Sequence, residues 1–235
     1  MKSMSLRIAV ASLGLSLVAA SSAAAQWSVG SYGVAEIDTK QTTLLLAGVN
    51  ASPSGMGWQP LLSLQAYSLW FKTGPVRTNV LAVTPAAGLI NNYNGGSFYG
   101  TVGYQFTNNN ISGGPVSGTT EGRGVELSGG WDYWGTGGPW GHQVLASYNF
   151  GGKSFWGRGR VTKRISQSGK SSTRLGGEVA FLSGPGYHGV QPGVVWEWHS
   201  PSNHVLGLGA GAKFMSPGGS AAYFRVEGFL PLTHH

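Results

Sequence analysis

Residues Val125 to Tyr133 read VELSGGWDY, and along this stretch apolar and polar side chains alternate. Val125, Leu127 and Trp131 share one parity, whereas Glu126 has the other. Because successive side chains of a β-strand point to opposite faces, this spacing predicts a strand with one apolar and one polar face. The same rhythm continues in strand-length segments almost to the end of the chain, separated by turns rich in Gly, Pro, Asn and Ser. The pattern therefore predicts a protein built of successive β-hairpins.

The composition favours a membrane over water as the surroundings of this sheet. Gly accounts for 40 of the 235 residues. Charged residues make up only 10% of the chain, against about 25% in average soluble proteins. A soluble surface is built largely of charge, so a chain this poor in charge must cover its surface in another way. No run after residue 25 is long and apolar enough to be a spanning helix, which leaves a closed barrel without unpaired edges as the route into a bilayer.

The spacing of the segments predicts an all-β fold: a closed, antiparallel, up-and-down transmembrane β-barrel. We expect about 12 strands, or about 10 if early segments merge, because barrels of this type have even strand numbers. The early candidates are less regular than the late ones and are Trp27–Ile37, Thr42–Asn50, Trp58–Phe71 and Val76–Leu89. Loops rich in Gly, Asn, Ser and Pro are predicted at 50–57, 91–96, 107–122 and 134–141. The longest of these, 107–122, is expected outside the cell or at the rim.

The alternative is a soluble β-sandwich or a periplasmic barrel, whose strands alternate in the same way. Two features favour the membrane barrel. The apolar face continues through nearly every late strand, so no open face is left over. Aromatic residues also collect near strand ends, where a membrane barrel has its interfacial girdles. They are Trp131, Tyr133, Trp196 and Trp198.

The first 25 residues have the features of a secretory leader. Lys2 and Arg7 supply the positive start, Ile8 to Ala20 supply an apolar core, and Ala23-Ala24-Ala25 supply a small-residue cleavage site. We therefore expect residues 1–25 to be a cleaved signal peptide. Residues 26–235 are then one β-barrel domain in the outer membrane of a Gram-negative bacterium. A single membrane anchor is the alternative, but the apolar run is short for one.

If the apolar face meets lipid, the polar face lines the lumen with charges of both signs in near balance. Two interpretations stay open. In the first, the charges pair and cross-link a small rigid barrel, because a desolvated charge without a partner is costly. In the second, Arg158, Arg160 and Arg164, on one face of one strand, bind an acidic sugar or a lipid head group. Trp156 on the same face would stack on a sugar ring. The candidate lumen and ligand-binding residues are Trp156, Arg158, Arg160, Arg164, Arg174, Arg225, Glu126, Glu178, Glu197 and Glu227.

Enzyme chemistry has little support in the sequence. A hydrolase needs Ser and His side by side, but His142 and Ser147 have opposite parity on one predicted strand. His199 and His204 have no Cys or carboxylate spaced to orient them or to complete a metal site. The lack of Cys excludes disulfides and thiolate metal sites. We expect a non-enzymatic protein without cofactor or metal ion. We also expect no nucleic-acid partner, because the positive charge alternates with apolar residues.

Three stretches in the middle and end of the chain resemble a known family. They are GTVGYQF at Gly100–Phe106, FWGRGR at Phe155–Arg160 and GEVAFLSGPGY at Gly177–Tyr187. Over roughly residues 90–215 the chain is similar to small barrels associated with bacterial cellulose synthesis, the BcsS-like proteins. The resemblance implies an outer-membrane accessory of exopolysaccharide production or export. Its partners would be outer-membrane lipid and polysaccharide or polysaccharide-export proteins.

The residues themselves leave a second function open. A lumen lined by arginines would make a small anion-preferring pore for acidic oligosaccharides or other small solutes. The sequence does not decide between the accessory and the pore, and it does not identify a substrate.

Overall fold

The structure is a computed structural model that describes residues 27–113, 117–134 and 138–233, without the side chain of Thr73. The predicted signal peptide, residues 1–25, lies outside the described residues.

Each strand runs antiparallel to its neighbours in sequence, and β1 also pairs with β12, so the sheet closes into a barrel. The predicted up-and-down barrel and the count of twelve strands are confirmed. The strands are β1 (Trp27–Asp38), β2 (Thr43–Pro53), β3 (Gly57–Thr73), β4 (Val76–Tyr93), β5 (Gly96–Ser112), β6 (Gly118–Tyr133), β7 (Trp140–Asn149), β8 (Ser154–Ser168), β9 (Ser171–Gly184), β10 (Tyr187–His199), β11 (Val205–Ser216) and β12 (Gly219–Pro231).

The barrel has two ends, which we call end A and end B. End A carries the start of β1, the end of β12 and the turns that follow the even-numbered strands. End B carries the turns that follow the odd-numbered strands. In the described ranges no helix is long and apolar enough to cross a bilayer.

The loop predicted at 107–122 is wrong for most of its length. Residues up to Ser112 continue β5 and residues from Gly118 onwards belong to β6, with Asn108 opposite Glu121 in the ladder. β7 pairs with β6 only from Glu126 onwards, so β6 and its earlier neighbours rise past β7 at end B. This extension is rich in Asn, Ser and Gly because its outward side is polar, and that composition resembles a loop. The loops predicted at 50–57 and 91–96 shorten to 54–56 and 94–95.

The outward side of the barrel is an apolar band between aromatic margins. On β5, Phe98 near end A and Phe106 near end B are eight residues apart. For strands tilted by about 40°, this spacing corresponds to about 20 Å along the barrel axis. On β3, Trp58 lies in the same cross-strand row as Phe98, and Trp70 lies in the extension at end B, beyond the row of Phe106. The height on β5 is close to the apolar band of about 25 Å that outer-membrane barrels present to lipid. Exposed outward side chains inside the band include Leu45, Leu62, Val102, Leu127, Val144, Val161, Leu175, Val194, Leu208 and Val226.

Candidate functional site

The inward positions divide the lumen into two walls. The uncharged wall consists of β2 to β5, where no inward position among the described residues carries a charge. The charged wall consists of β8 to β12 together with β1, and it holds every inward Lys and Arg of the described chain. It also holds the inward carboxylates except Glu126 and Asp132, which lie on β6. Because closure pairs β12 with β1, the charged wall is continuous across the seam of the barrel.

Arg160 on β8 is the centre of the charged wall. It is 4% exposed, and its guanidinium reaches carboxylates on three other strands. The nitrogen-to-oxygen distance is 2.9 Å to Glu178 on β9 and 2.6 Å to Glu197 on β10. Glu227 on β12 also pairs with Arg160, four strands away around the barrel. Charge-assisted bonds to several carboxylates are the strong kind, so Arg160 ties strands that do not neighbour one another.

Two further arginines extend this cluster. Arg158 Nη1 lies 2.8 Å from Glu227, and its Nη2 donates to the side-chain oxygen of Gln143 at 2.7 Å. The Arg158 guanidinium carbon also lies 6.0 Å from the ring centre of Trp156. Arg225 on β12 pairs with Glu178 and lies 3.3 Å from Glu227. Arg158 and Arg225 therefore share carboxylates with Arg160.

The cluster continues across the seam between β12 and β1. Lys213 Nζ on β11 lies 2.8 Å from Glu36 and 3.2 Å from Asp38, both on β1. Gln191 donates to Glu36 at 2.8 Å, and Arg225 lies 3.9 Å from the same carboxylate. We call the whole set the ion-pair cluster. Its four cations face five carboxylates, so none of these cations carries uncompensated charge. Its members are Arg158, Arg160, Lys213, Arg225, Glu36, Asp38, Glu178, Glu197 and Glu227.

A row of glycines on β11 gives these long side chains room. Gly207, Gly209 and Gly211 point inward and pair directly with Glu227, Arg225 and Tyr223 of β12, respectively. A Cβ atom on Gly209 would lie 3.0 Å from the Arg225 guanidinium, and one on Gly207 would lie 2.7 Å from Glu227 Cγ. The β12 side chains thus pass over a stretch of β11 that has no inward side chains. This is how Arg225 and Glu227 reach partners on β8 and β9.

We expect Gly211→Val to destabilise the barrel by about 1–3 kcal/mol, the usual cost of overpacking. A Cβ atom at this position would lie 2.2 Å from the Pro192 carbonyl oxygen and 2.6 Å from Gly193 Cα. These are backbone atoms and cannot move aside without disturbing β10. The urea midpoint of unfolding in lipid vesicles measures the effect. The control is Gly159→Val, which points outward with no atom within 4 Å of its Cβ position. Equal midpoints for the two variants would contradict the role of the glycine row.

Side-chain hydrogen bonds join the uncharged wall to the strands on either side of it. Tyr32 of β1 lies over Gly48 and its hydroxyl donates to Gln65 at 2.9 Å. On the other side of this wall, Gln105 donates to Glu126 at 2.7 Å and accepts from Asn149 at 3.0 Å. Apart from the buried Leu61, inward residues along β3, such as Gln65, are half-buried, whereas the arginines of the ion-pair cluster are buried. Solvent in the lumen therefore meets the inward face of β3 more than it meets those arginines.

The structure brings seven of the ten predicted site residues together and separates the other three. Trp156, Arg158, Arg160, Arg225, Glu178, Glu197 and Glu227 lie in or against the ion-pair cluster. Arg174 instead donates to the carbonyl oxygens of Trp134 and Pro139, at 2.5 and 3.4 Å. Arg164 lies directly opposite Arg174 in the ladder between β8 and β9. No ion pair is found for Arg164 among the described residues. Glu126 lies apart from the arginines, beside Gln105.

Some residues of the site were missed in the sequence. Glu36 and Asp38 lie on β1, in the irregular first part of the chain, although they share a parity and flank the outward Ile37. The expectation that His199 has no carboxylate partner is wrong. Its Nε2 lies 3.3 Å from Glu197, which is two residues earlier and therefore on the same inward face. In the part of the chain that the structure describes, no group of three or more His, Cys, Asp or Glu has a metal-binding arrangement.

Solved structures match this chain over most of its length. The translocator domain of the autotransporter NalP from Neisseria meningitidis is 12% identical, with a TM-score of 0.54 over 97% of this chain and 94% of that one. The β domain of the Bordetella autotransporter BrkA is 12% identical, with a TM-score of 0.51 over 87% and 98% of the respective chains. The chain has the fold of an outer-membrane β-barrel.

A third match has a lower TM-score of 0.48. It is the KdgM porin in complex with disordered oligogalacturonate, 12% identical over 88% of this chain and 99% of that one. No family model matches the sequence. No curated protein matches it either.

Proposed function

We propose that this protein is a small pore in the outer membrane of a Gram-negative bacterium. Support for the membrane comes from the outward apolar band, whose height between aromatic margins fits the hydrocarbon layer. Closure through β1 and β12 leaves no sheet edge for lipid to meet. The proposed pore passes small solutes along the uncharged wall.

The observation that carries the pore is the division of the lumen. The ion-pair cluster fills the charged wall with buried groups such as Arg160 and Glu197. On β3 the uncharged wall keeps half-buried inward residues from Gln59 near end A to Leu69 near end B, apart from the buried Leu61. A solute following β3 meets hydroxyl, amide and apolar groups without displacing an ion pair. The cluster serves as a rigid internal brace, as in the first interpretation of the lumen charges.

We propose that the pore has no strong preference for anions. Of the three arginines that motivated that preference, Arg158 and Arg160 are neutralised by Glu178, Glu197 and Glu227. Only Arg164 has no ion pair among the described residues. Charges that cancel within a few ångströms produce little field at the opposite wall. The reversal potential in a salt gradient should therefore show weak ion selectivity. A strong preference for anions would instead support the arginine wall and its acidic ligands.

A single introduced thiol tests the path, because the chain contains no Cys. We expect Ser63→Cys in a planar bilayer to give stable conductance that falls lastingly when a charged methanethiosulfonate reagent is added. Ser63 points inward in the middle of β3 and is half-buried. The matched control is Thr162→Cys, which points inward on the charged wall and is 0% exposed. Its conductance should not change.

Two outcomes would contradict this pore. Absence of steady conductance in the unmodified barrel would remove the pore altogether. A response of Thr162→Cys without a response of Ser63→Cys would move the path to the charged wall.

The accessory role in exopolysaccharide export and the absence of enzyme activity both stay predictions. A mutant lacking the gene and retaining normal surface polysaccharide would contradict the accessory role.

A further inference from the structure

At end B the strands β3 to β5 exchange the polarity of their two faces. Inside the apolar band the outward positions are apolar, but beyond it most of them are polar. Ser68 donates to Asn79 at 3.3 Å on this outward side. The outward cross-strand rows beyond the band are Ser68 with Leu81 and Asn108, Trp70 with Asn79 and Asn110, and Lys72 with Arg77 and Ser112. The outward side of this extension is therefore suited to water or head groups and no longer to hydrocarbon.

The inward side of the same extension carries a group of apolar side chains among the polar residues Thr78, Thr107 and Asn109. We call Leu44, Leu69, Phe71, Val80 and Ile111 the vestibule patch. Leu69 pairs with both Leu44 and Val80, so three apolar side chains lie side by side on three strands. Phe71 and Ile111 lie one row further out, on either side of Thr78. All five members are half-buried. Porin lumens are polar, so a half-exposed apolar patch at the mouth needs an explanation.

Apolar side chains also point into this mouth from the opposite side. Trp156 on β8 pairs with Leu182 on β9, and both are half-buried. Met215 on β11 lies over Gly189, where a Cβ atom would be 2.2 Å from its sulfur. The Lys213, Glu36 and Asp38 part of the ion-pair cluster borders the vestibule patch at the same level, because Glu36 lies directly opposite Leu44. The mouth at end B is thus a cup with apolar side chains on its wall and a charged group beside them.

We infer that this cup binds an amphiphile with a single acyl chain. The inference rests on the proposed pore and names the class of solute that enters it. The five side chains of the vestibule patch are mainly aliphatic and suit a hydrocarbon chain, with the side chains of Thr78 and Asn109 at their border. The charged group around Lys213, beside the patch, suits the head group of that amphiphile. A patch on the concave inner side of a barrel is reached by a small molecule and not by a folded protein.

Photolabelling tests the site with a defined probe. The purified barrel in lipid nanodiscs is irradiated with dodecanoic acid that carries a diazirine on its chain, and labelled residues are mapped by mass spectrometry. We expect saturable labelling of Phe71, Leu69 and Met215 that unlabelled dodecanoate competes away. The variant Leu69→Asn/Phe71→Asn should lower the labelling of Met215 about tenfold, because two apolar contacts are lost. The control Trp70→Asn changes the neighbouring outward side chain and should keep full labelling.

The outcomes separate this inference from the proposed pore. Labelling confined to outward residues, or labelling that dodecanoate does not compete, would overturn the acyl-chain site. Labelling competed only by added phospholipid would assign the cup to membrane lipid and also overturn it. Saturable inward labelling in a barrel without conductance would keep the binding site and remove the pore. Failure of Leu69→Asn/Phe71→Asn to fold is recognised by its gel mobility, and Val80→Asn then serves as the second variant.

Discussion

Arg160→Met should destabilise the barrel by about 3–5 kcal/mol, the cost of removing one partner from a buried charge pair. The change leaves three carboxylates without their shared cation. Glu178 and Glu227 keep contacts to Arg225 and Arg158, but Glu197 is 0% exposed and, within the described ranges, keeps only His199 at ion-pair distance. An uncompensated buried carboxylate costs far more than the loss of a surface ion pair. The measurement is the urea concentration at which the folded, heat-modifiable species disappears in lipid vesicles.

Two controls show whether the loss comes from the orphaned carboxylate. Arg164→Met on the same strand removes a cation for which no ion pair is found among the described residues, and its cost should stay within about 0.5 kcal/mol. Adding Glu197→Gln to Arg160→Met should recover a large part of the lost stability, because the double variant no longer buries that charge. Unfolding of Arg160→Met at the wild-type urea concentration would show that the ion-pair cluster does not brace the barrel.

The fold could be predicted largely because lipid imposes a strict rule on outward positions. Inside the apolar band, outward positions of a strand such as β6 must not be polar, and Val125, Leu127 and Trp131 follow that rule. The rule is weaker where strands leave the apolar band. In the extension at end B, residues around Asn108 and Asn110 face neither lipid nor core, so their composition resembled a loop. The predicted boundary between strand and loop was therefore wrong at the point where the outward side of the barrel passes from lipid to water.

The partners inside the lumen could be predicted only in part. Parity indicated that Arg160 and Glu178 point inward, because parity depends on neighbouring residues alone. The pairing of Arg160 with Glu227 depends on the register of five strands and on the missing side chains of Gly207 and Gly209. No local pattern encodes that register, and the role of the glycine row became visible only when β12 was placed beside β11.

Val102→Arg should destabilise the barrel in lipid by about 2–4 kcal/mol, the cost of an arginine on the lipid face near the bilayer midplane. Val102 lies on β5, four residues from Phe98 and four from Phe106, and it points outward with 58% of its surface exposed. In water, replacing so exposed a valine with arginine would cost almost nothing. The same substitution thus separates a membrane barrel from a soluble one. The free energy of unfolding from phospholipid vesicles provides the measurement.

The matched control lies on the same strand and the same side. Asn108→Arg places the arginine beyond Phe106, where the outward row is already polar, so its cost should fall to about 0–1 kcal/mol. The difference between the two variants reports the depth of each position and not a general intolerance of β5 to arginine. If Val102→Arg were as stable as Asn108→Arg, the outward band would not face hydrocarbon. The protein would then not be a membrane pore, while the ion-pair cluster would remain a structural feature of a soluble barrel.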